Sequence, residues 1–340
     1  MSRYTIALIE GDGIGREVIP AARTVLQATG LSFDFIEAEA GWETFNERGV
    51  SVPEETLKAV YRADSTLFGA VSSPSEKVPG YYSAIRYLRQ EMGLFANIRP
   101  AKSRPLAGMA TGIDMLIVRE NTEGLYYGVE RTYANGEVAV AERVVTRGAS
   151  TRIARFAFEK ALQRRKRLAV VHKANVLSLS DGLFLQAVGG VAQEYPQVET
   201  ETVIVDACAM RLVRHPASFD VLVMENMFGD ILSDVSAGVT GGLGLAPSGN
   251  IGTKGALFEP VHGSAPDIAG MGVANPIAAI LSAALMLDHL GDRQAAKAIE
   301  NAVNTALSNG ILTPDLGGSA STEEVAEKIS ETTRSILSYD

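Results

Sequence analysis

Two aspartates, Asp230 and Asp234, stand four residues apart in the run Phe228-Gly-Asp-Ile-Leu-Ser-Asp234. Residues at this spacing lie on the same face of a helix, where two carboxylates repel each other unless a cation lies between them. Asp206, which ends the apolar run Val203-Ile-Val-Asp206, is a third candidate oxygen ligand. So few protein carboxylates suit Mg²⁺ or Mn²⁺, which keep positions open for a substrate. The pattern predicts a divalent-metal site, and its alternative is an exposed acidic helix face.

Three arginines, Arg89, Arg99 and Arg119, stand near the ends of candidate strands and helices, and two of them lie in apolar runs. An unpaired guanidinium would be costly to bury there, so these side chains are expected to meet anions. The partners could be Glu91 or Glu120 in structural ion pairs. They could also be the carboxylates of a bound polycarboxylate, because arginine binds carboxylates through two parallel hydrogen bonds.

Candidate acid and base groups follow two predicted strands. Tyr126 lies just beyond the strand that carries Arg119, and Lys173 lies just beyond another strand, in His172-Lys-Ala-Asn-Val176. Active-site groups commonly lie at such strand ends. A desolvated lysine near a metal cation loses its proton easily and can act as a base, and a tyrosine can return a proton. Taken singly, either residue could also be an ordinary surface group.

Two glycine-containing segments could contact a ligand. The turn Glu10-Gly-Asp-Gly-Ile-Gly15, with Glu37 downstream, is similar to a dinucleotide-binding fingerprint, but Arg16 stands where the third glycine would be required. We therefore expect a turn that contacts a ligand without forming a Rossmann site. The segment from Glu259 to Gly270 has two prolines and many small residues. Such rigid loops with exposed amides suit phosphate and adenosine binding, although structural loops share this composition.

The composition of the 340-residue chain is that of a globular protein, with 46% hydrophobic and 21% charged residues. A net charge of −9 argues against a nucleic-acid surface. The single cysteine, Cys208, cannot form an intrachain disulfide, which favours a reducing compartment. The N-terminal residues enter a predicted strand without a signal peptide's apolar segment, and the longest apolar run, Pro276 to Leu287, is too short to span a bilayer. The sequence thus predicts a soluble cytoplasmic protein with neither nucleic acid nor membrane as a partner.

Strand-like and helix-like patterns alternate along the chain, which predicts parallel βαβ units and an α/β fold. Strands are expected at 4–9, 33–38, 65–70, 115–118, 167–172, 201–205 and 219–224. Helices are expected after Glu17 and Pro53, and at 276–287, 292–308 and 321–337. Residues 126–146 contain Ala134-Asn-Gly136, a type I′ hairpin signal, and predict an inserted arm.

Together these motifs resemble those of the metal-dependent β-decarboxylating dehydrogenases, the family of isocitrate, 3-isopropylmalate, homoisocitrate and tartrate dehydrogenases. The resemblance runs from Glu10-Gly-Asp-Gly-Ile-Gly15 to Thr313-Pro-Asp-Leu-Gly-Gly318, and it is most specific in Phe228-Gly-Asp-Ile-Leu-Ser-Asp234 and Gly263-Ser-Ala-Pro-Asp-Ile268. It implies three sets of roles: arginines that hold the malate moiety, Arg89, Arg99 and Arg119; ligands for Mg²⁺ or Mn²⁺, Asp206, Asp230 and Asp234; and the catalytic acid/base pair, Tyr126 and Lys173.

The family fold is a non-Rossmann, two-domain α/β architecture with a small β arm. The resemblance implies a discontinuous large domain, 1–99 plus 252–340, that binds the cofactor. It implies a central domain, 100–251, for metal, substrate and dimerisation, with the arm at about 126–146. In such enzymes Lys173 and Asp206 reach into the neighbouring subunit's cleft. The smallest catalytic assembly implied is a homodimer, with a tetramer as the alternative.

The segment Gly80-Tyr-Tyr-Ser-Ala-Ile-Arg-Tyr-Leu-Arg89 bears on the substrate. Isocitrate enzymes of the family resemble Ser-Leu-Asn-Val-x-Leu-Arg here, so Ser83 matches but Ile85 and Arg86 depart. Isopropylmalate enzymes present apolar residues to the isopropyl group, against which Arg86 would be an unpaired charge. The pattern is similar to homoisocitrate dehydrogenase of the α-aminoadipate route to lysine, with Ser73 as a helper. It predicts a small tricarboxylate substrate.

Isocitrate, one methylene shorter than homoisocitrate, is expected to be accepted as well. The alternatives within the family are a 3-isopropylmalate or an ordinary isocitrate dehydrogenase. A further alternative is a regulatory subunit that binds ligand without turnover. Such subunits usually lose catalytic or metal residues, and all of these residues are present in this chain.

NAD⁺ is the expected cofactor, because Asp267-Ile268 stands where NADP-using relatives carry Lys-Tyr. A carboxylate can accept hydrogen bonds from the ribose hydroxyls but repels a 2′-phosphate. The predicted cofactor-binding residues are Asn175, Glu259, His262, Gly263, Ser264, Ala265, Pro266, Asp267, Ile268 and Asn275. The predicted substrate-binding residues are Ser73, Arg86, Arg89, Arg99, Arg119, Tyr126, Lys173 and Asn175.

Overall fold

Strands and helices alternate along the chain in a computed structural model that describes residues 3–338. The strands are β1 (Arg3–Gly11), β2 (Ser32–Ala38), β3 (Ser65–Ala70), β4 (Ala96–Lys102), β5 (Asp114–Glu120), β6 (Glu130–Tyr133), β7 (Val138–Ala141), β8 (Arg167–His172), β9 (Glu199–Ile204), β10 (Val221–Met224), β11 (Pro247–Ile251) and β12 (Ala256–Pro260). The helices are α1 (Gly15–Ala28), α2 (Trp42–Arg48), α3 (Glu54–Arg62), α4 (Ala84–Glu91), α5 (Arg147–Leu162), α6 (Ser180–Ala192), α7 (Val205–Arg214), α8 (Asn226–Thr240), α9 (Ile277–His289), α10 (Arg293–Ser308) and α11 (Thr322–Ser338). The predicted α/β fold class is confirmed.

The chain divides into two compact units. The terminal unit consists of the chain up to residue 94, residues 104–109, and the chain from residue 241 onward. The central unit consists of residues 95–103 and 110–240. The assignment of cofactor binding to 1–99 plus 252–340, and of metal and substrate binding to 100–251, concerns function and stays a prediction.

The sheet of the terminal unit runs in the order β2, β1, β3, β12 and β11. Its first four strands are parallel, whereas β11 pairs antiparallel with β12. Helix α1 packs against α9 and α11, and its residues Val18, Ala22 and Val25 are fully buried. Their spacing of three and four residues is that of one helix face. The apolar run at 276–287 forms most of α9, a buried helix as predicted.

The glycine-rich turn between β1 and α1 is held closely by its neighbours. Gly11 has a positive φ of 76°, and a Cβ at this position would lie 2.0 Å from the carbonyl oxygen of Ala70. The buried carboxylate of Asp12 accepts hydrogen bonds from the backbone N–H groups of Trp42, Glu43 and Ser72, at 2.8 to 2.9 Å. These contacts give the glycines and Asp12 of the motif a structural reason that needs no bound nucleotide.

The sheet of the central unit runs in the order β4, β5, β10, β8 and β9. Strands β5, β10, β8 and β9 are parallel, and β4 pairs antiparallel with β5. The sequence analysis predicted neither antiparallel strand, β4 nor β11. Met115, Ile117 and Leu222 are fully buried, at 0% solvent exposure, and form one hydrophobic core with residues of α7 and α8.

The arm contains the predicted hairpin, formed by β6 and β7. Tyr133 pairs with Val138, so four residues join the strands, and Ala134, Asn135 and Gly136 all have positive φ. The connection is therefore longer than the two-residue loop that is typical of a type I′ hairpin, and that expectation is wrong. Asn and Gly still explain the turn, because they adopt positive φ more readily than other residues.

Several strand boundaries differ by one or two residues from the predictions. Strand β9 ends at Ile204 and α7 begins at Val205, so Asp206 lies in the first turn of a helix and does not end a strand. Strand β10 begins at Val221, two residues later than predicted. Among the helices of residues 3–338, none is long and apolar enough to cross a membrane.

Candidate functional site

Helix α8 carries both aspartates of the predicted metal site, as their spacing requires. The helix begins where the side chain of Glu225 accepts a hydrogen bond from the N–H of Phe228, at 2.8 Å. Phe228 and Leu232 bury one face of the helix in the core. The side chains of Asp230 and Asp234 are 34% and 55% exposed, so their carboxylates remain accessible to a ligand.

Two of the three predicted arginines meet these aspartates. Arg99 on β4 donates to Asp230 and to Asp234, each at 3.2 Å. Arg119 on β5 forms a close ion pair with Asp230. Both arginines are buried, at 9% and 1% exposure. Arg99 and Arg119 therefore pair with anions as expected, and these anions are the carboxylates of α8. The site thus places two guanidinium groups beside two carboxylates.

Three residues that the sequence analysis did not assign support these arginines. Asn226 accepts two hydrogen bonds from Arg119, at 2.7 and 2.9 Å, and its amide donates to the carbonyl of Glu123. Ser233 accepts a hydrogen bond from Arg99 at 2.6 Å. A Cβ on Gly229 would lie 2.5 Å from Cγ of Arg119, so only glycine leaves room for that side chain. Asn226, Gly229 and Ser233 all lie in or beside the Phe228 to Asp234 motif. Their closeness to this motif is the sequence feature from which their role could have been predicted.

Tyr126 lies in a short turn after β5, where its hydroxyl donates a close hydrogen bond to Asp230. Its ring also packs on the guanidinium of Arg119, with Cζ 5.1 Å from the ring centre. Burial, with the hydrogen bond to Asp230, raises the pKa of the Tyr126 hydroxyl. The phenol therefore stays protonated at neutral pH and can donate a proton.

Lys173 and Asp206 form a separate pair. Lys173 follows β8 directly, and its Nζ donates to Asp206 Oδ1 at 2.9 Å. This hydrogen bond is the main cause that lowers the pKa of the Asp206 carboxyl. Asn175 is exposed two residues further on. Within residues 3–338, no group of three or more His, Cys, Asp or Glu side chains could hold a metal ion, so Asp206 does not join Asp230 and Asp234 within one chain.

Asp230 and Asp234 nevertheless fit a hard divalent cation. They offer adjacent oxygen donors that are partly exposed. Burial raises the pKa of the Asp234 carboxyl, Arg99 opposes this effect, and the charge of Asp230 adds to it. A cation would relieve the repulsion between the two carboxylates and suits all-oxygen ligation. The residues present are therefore compatible with Mg²⁺ or Mn²⁺.

In the terminal unit, α4 carries the two arginines of the substrate-selecting segment. Arg86 is exposed, whereas Ile85 packs against the hydrophobic core. Arg89 forms a largely buried ion pair with Glu259 at 2.8 Å, and its Nε has no hydrogen-bond partner among the described residues. Such an orphaned donor suits an anionic ligand. Ser73 is exposed and accepts a long contact of 3.4 Å from the hydroxyl of Tyr81.

The loop predicted to bind the cofactor follows β12. Ser264 is buried, its hydroxyl contacts that of Ser72 at 2.7 Å, and its carbonyl accepts the N–H of Ile14. Asp267 is exposed, and the Nε2 of His262 is buried without a hydrogen-bond partner among the described residues. Burial lowers the pKa of His262.

The remaining predicted cofactor residues lie within this loop or follow it in the sequence. Gly263 and Pro266 are exposed, and Ala265 and Ile268 are partly buried. Asn275 is buried and donates to Asp315 at 3.0 Å. Asp315 lies in the Thr313 to Gly318 motif and was not assigned by the sequence analysis. Its contact with Asn275 adds it to the surroundings of the predicted cofactor site.

Known proteins resemble this chain over nearly its full length. A family model described as isocitrate/isopropylmalate dehydrogenase matches residues 5–329. The chain is 60% identical over 334 residues to the isocitrate/homoisocitrate dehydrogenase of Thermus thermophilus, covering 98% of this chain and 99% of the relative. It is 48% identical over 337 residues to the 3-isopropylmalate/3-methylmalate dehydrogenase of Methanocaldococcus jannaschii, covering 97% and 99%.

Solved structures of related dehydrogenases also resemble this chain. The crystal structure of isocitrate dehydrogenase from Methylococcus capsulatus matches with a TM-score of 0.93 and 44% sequence identity, covering 97% of this chain and 99% of that one. The chain belongs to the isocitrate/isopropylmalate dehydrogenase family of β-decarboxylating dehydrogenases. Members of this family are oxidoreductases that depend on NAD(P) and on a divalent metal.

Proposed function

We propose that this protein is a NAD⁺- and divalent-metal-dependent enzyme that oxidatively decarboxylates homoisocitrate to 2-oxoadipate, in the α-aminoadipate route to lysine, and that also accepts isocitrate. The observation that carries the proposal is the exposed Arg86, three residues before Arg89 and therefore on the same side of α4. An arginine at this position suits a substrate with a distal carboxylate. The name of the Thermus thermophilus relative supports the same substrates.

The arginines would bind the carboxylates of the substrate. Arg86 would pair with the distal carboxylate, and Arg89, Arg99 and Arg119 with those of the malate moiety. Within the protein, Asp230 and Asp234 balance the charge of Arg99 and Arg119, and Glu259 balances that of Arg89. Asn226 and Ser233 hold the two buried guanidinium groups in place for an incoming anion.

Two protein side chains would move protons. Lys173, as the base, would take the proton of the substrate's α-hydroxyl, and NAD⁺ would be the hydride acceptor. A Mg²⁺ or Mn²⁺ ion held by Asp230, Asp234 and the Asp206 of a second copy would favour ionisation of that hydroxyl and offset the negative charge that develops during loss of CO₂. Tyr126, whose raised pKa keeps it protonated, would then protonate the substrate carbon.

A homodimer is the smallest assembly that the proposal allows, because Asp206 is not beside Asp230 and Asp234 within one chain. Exposed apolar side chains support this assembly. Val138 and Val140 of the arm are 48% and 44% exposed, and Met210 and Val213 of α7 are 55% and 63% exposed. The members of each pair share one face of their strand or helix by their spacing, and exposed apolar faces are found at contacts between protein chains. A tetramer remains the alternative.

A cytoplasmic location is also proposed. Cys208 is free and buried, and burial raises the pKa of its thiol to about 12. The thiol is thus neither paired nor reactive, which suits a reducing compartment.

The substrate assignment is tested by assaying the purified protein with homoisocitrate, isocitrate and 3-isopropylmalate in parallel, with NAD⁺ and Mg²⁺. We expect the highest kcat/KM for one of the two tricarboxylates. The second candidate function, 3-isopropylmalate oxidation, is supported by the 48% identical relative of Methanocaldococcus jannaschii. A higher kcat/KM for 3-isopropylmalate would favour that function. Turnover of none of the three substrates would favour a regulatory subunit.

Replacing Arg86→Val should change the specificity of the enzyme and leave its stability unchanged. A charged hydrogen bond contributes about 1.5 to 3 kcal/mol, so kcat/KM for homoisocitrate and isocitrate should fall by about one to two decades. Activity on 3-isopropylmalate should rise, because the new apolar surface matches the isopropyl group. Arg62→Val, at an exposed arginine of α3, serves as the control. Unchanged homoisocitrate kinetics in Arg86→Val would contradict the role of Arg86.

NAD⁺ should be preferred over NADP⁺ because Asp267 is exposed on the proposed adenosine-binding loop and would repel a 2′-phosphate. We expect kcat/KM to be at least about tenfold higher with NAD⁺, the ratio that corresponds to about 1.4 kcal/mol. In Asp267→Asn the ratio should fall towards one. The two cofactors are compared at saturating substrate and Mg²⁺, and an equal or higher value with NADP⁺ would refute the assignment.

A further inference from the structure

Next to Lys173, the proposed base, lies a buried ion pair between Arg143 and Asp181 that has no part in the proposed mechanism. Arg143, two residues after β7, donates to Asp181 Oδ1 at 2.6 Å and to Ser180 at 2.8 Å. The side chains of Arg143 and Asp181 are only 11% and 2% exposed. The other oxygen of the same carboxylate, Oδ2, accepts the backbone N–H of Lys173 at 2.5 Å. Asp181 therefore connects the backbone of Lys173 to the guanidinium of Arg143.

The same guanidinium faces the start of the helix that carries the metal-site aspartates. Arg143 Nη2 lies 3.4 Å from Oε2 of Glu225, a side chain that is 6% exposed. The other oxygen of Glu225 accepts the N–H of Phe228 in the first turn of α8. Arg143 also packs on the Phe228 ring, with Cζ 5.3 Å from the ring centre.

A third contact involves the segment that carries Tyr126. Val144, the neighbour of Arg143, forms a backbone bridge with Gly124, with hydrogen bonds of 2.8 and 3.3 Å. Gly124 directly precedes the short turn that contains Tyr126. A Cβ on Gly124 would lie 2.8 Å from Oε2 of Glu225, so this glycine allows the segment to approach the buried carboxylate.

The charges of this cluster argue for a role in geometry more than in stability. One guanidinium faces two buried carboxylates, and Arg143 Nε, Arg143 Nη2 and Glu225 Oε2 lack hydrogen-bond partners among the described residues. Buried ion pairs contribute little net stability, because desolvation offsets their attraction. An incompletely bonded cluster costs still more. What the cluster does achieve is to join three backbone segments at one point in the central unit.

We propose that Arg143 and Asp181 are positioning residues that hold Lys173, the Tyr126 turn and the start of α8 in their relative places. The inference rests on the proposed acid and base roles of Tyr126 and Lys173. Neither Arg143 nor Asp181 contacts the reacting atoms in this scheme. They act through the backbone of Lys173 and the segments of Tyr126 and Asp230, and Arg143 joins these segments to the base of the arm.

The test is Asp181→Asn, which keeps the size of the side chain and removes its charge. The amide retains one acceptor oxygen for the two bonds that the carboxylate accepts, and the charged guanidinium of Arg143 is the stronger donor, so the Lys173 N–H loses its partner. We expect hydrogen exchange of the Lys173 amide to become at least about tenfold faster, measured by mass spectrometry or NMR. In the active enzyme, kcat should fall about 10- to 100-fold, as for a displaced catalytic group, with KM for substrate and NAD⁺ changed less than about twofold.

Two further variants separate positioning from a general loss of stability. Glu194→Gln removes a carboxylate from the exposed Arg155 and Glu194 pair of the same unit and should leave exchange and kcat unchanged. Arg143→Met combined with Asp181→Asn removes both charges, and its kcat should be no lower than that of Arg143→Met alone, because the two residues act as one unit.

Unchanged exchange at Lys173 in Asp181→Asn would overturn the inference. It would also be overturned if the fall in kcat were accompanied by weaker NAD⁺ binding and a lower melting temperature, since these changes together indicate a merely structural role. If the wild type turns over none of the three substrates, the proposed function fails, and the exchange measurement still decides whether Asp181 holds Lys173.

Discussion

Asp230→Asn should nearly abolish turnover while the protein remains folded. Asp230 is the residue at which Arg99, Arg119 and Tyr126 meet, and it shares the exposed face of α8 with Asp234. The asparagine preserves the shape of the side chain but lacks the charge that a divalent cation requires. Metal assistance is worth several kcal/mol, so we expect kcat to fall by about a thousandfold or more, and residual activity to need higher Mg²⁺.

The measurement is a Mg²⁺ titration of NAD⁺ reduction, with circular dichroism to verify the fold. Glu331→Gln, at an exposed glutamate on α11 that forms a surface ion pair with Lys328, should behave like the wild type. Wild-type activity that survives thorough EDTA treatment would be incompatible with the metal assignment.

Lys173→Met should cause the second largest loss. Removal of a general base typically costs about 10²- to 10⁴-fold in rate, so we expect kcat to fall by that factor. Substrate affinity should change little, because the carboxylates are assigned to the arginines. Lys297→Met, at an exposed lysine of α10, is the matched control. A Lys173→Met enzyme with near-normal kcat would remove Lys173 from the mechanism.

Mixing the two inactive variants tests whether subunits share the site. If Lys173 and Asp206 of one chain serve the aspartates of a second, a hybrid dimer of Lys173→Met and Asp230→Asn chains contains one intact site. Random association makes half of the dimers hybrids, so about a quarter of the wild-type activity should return after joint refolding. Activity that stays at the level of the separate variants would show that each chain supplies its own base.

Much of the candidate site was predictable because its signals are local. The four-residue spacing of Asp230 and Asp234 places them on one face of α8, and the continuous apolar runs before Lys173 and Tyr126 predict the strands β8 and β5. Helix and strand periods are properties of neighbouring residues, so they can be read without knowledge of the fold. The family was equally evident, because its motifs are specific in residue type and order.

Only the tertiary structure decided which of these groups contact one another. The antiparallel pairing of β4 with β5 brings Arg99 and Arg119 to the same carboxylate, and the lack of a side chain on Gly229 makes room for one of them. The link from Arg143 through Asp181 to the Lys173 backbone joins residues that no periodic pattern relates. Such contacts depend on strand register and on close packing between segments distant in sequence. The sequence by itself therefore determined the family, the elements and the reactive residue types, while packing determined which of those residues meet.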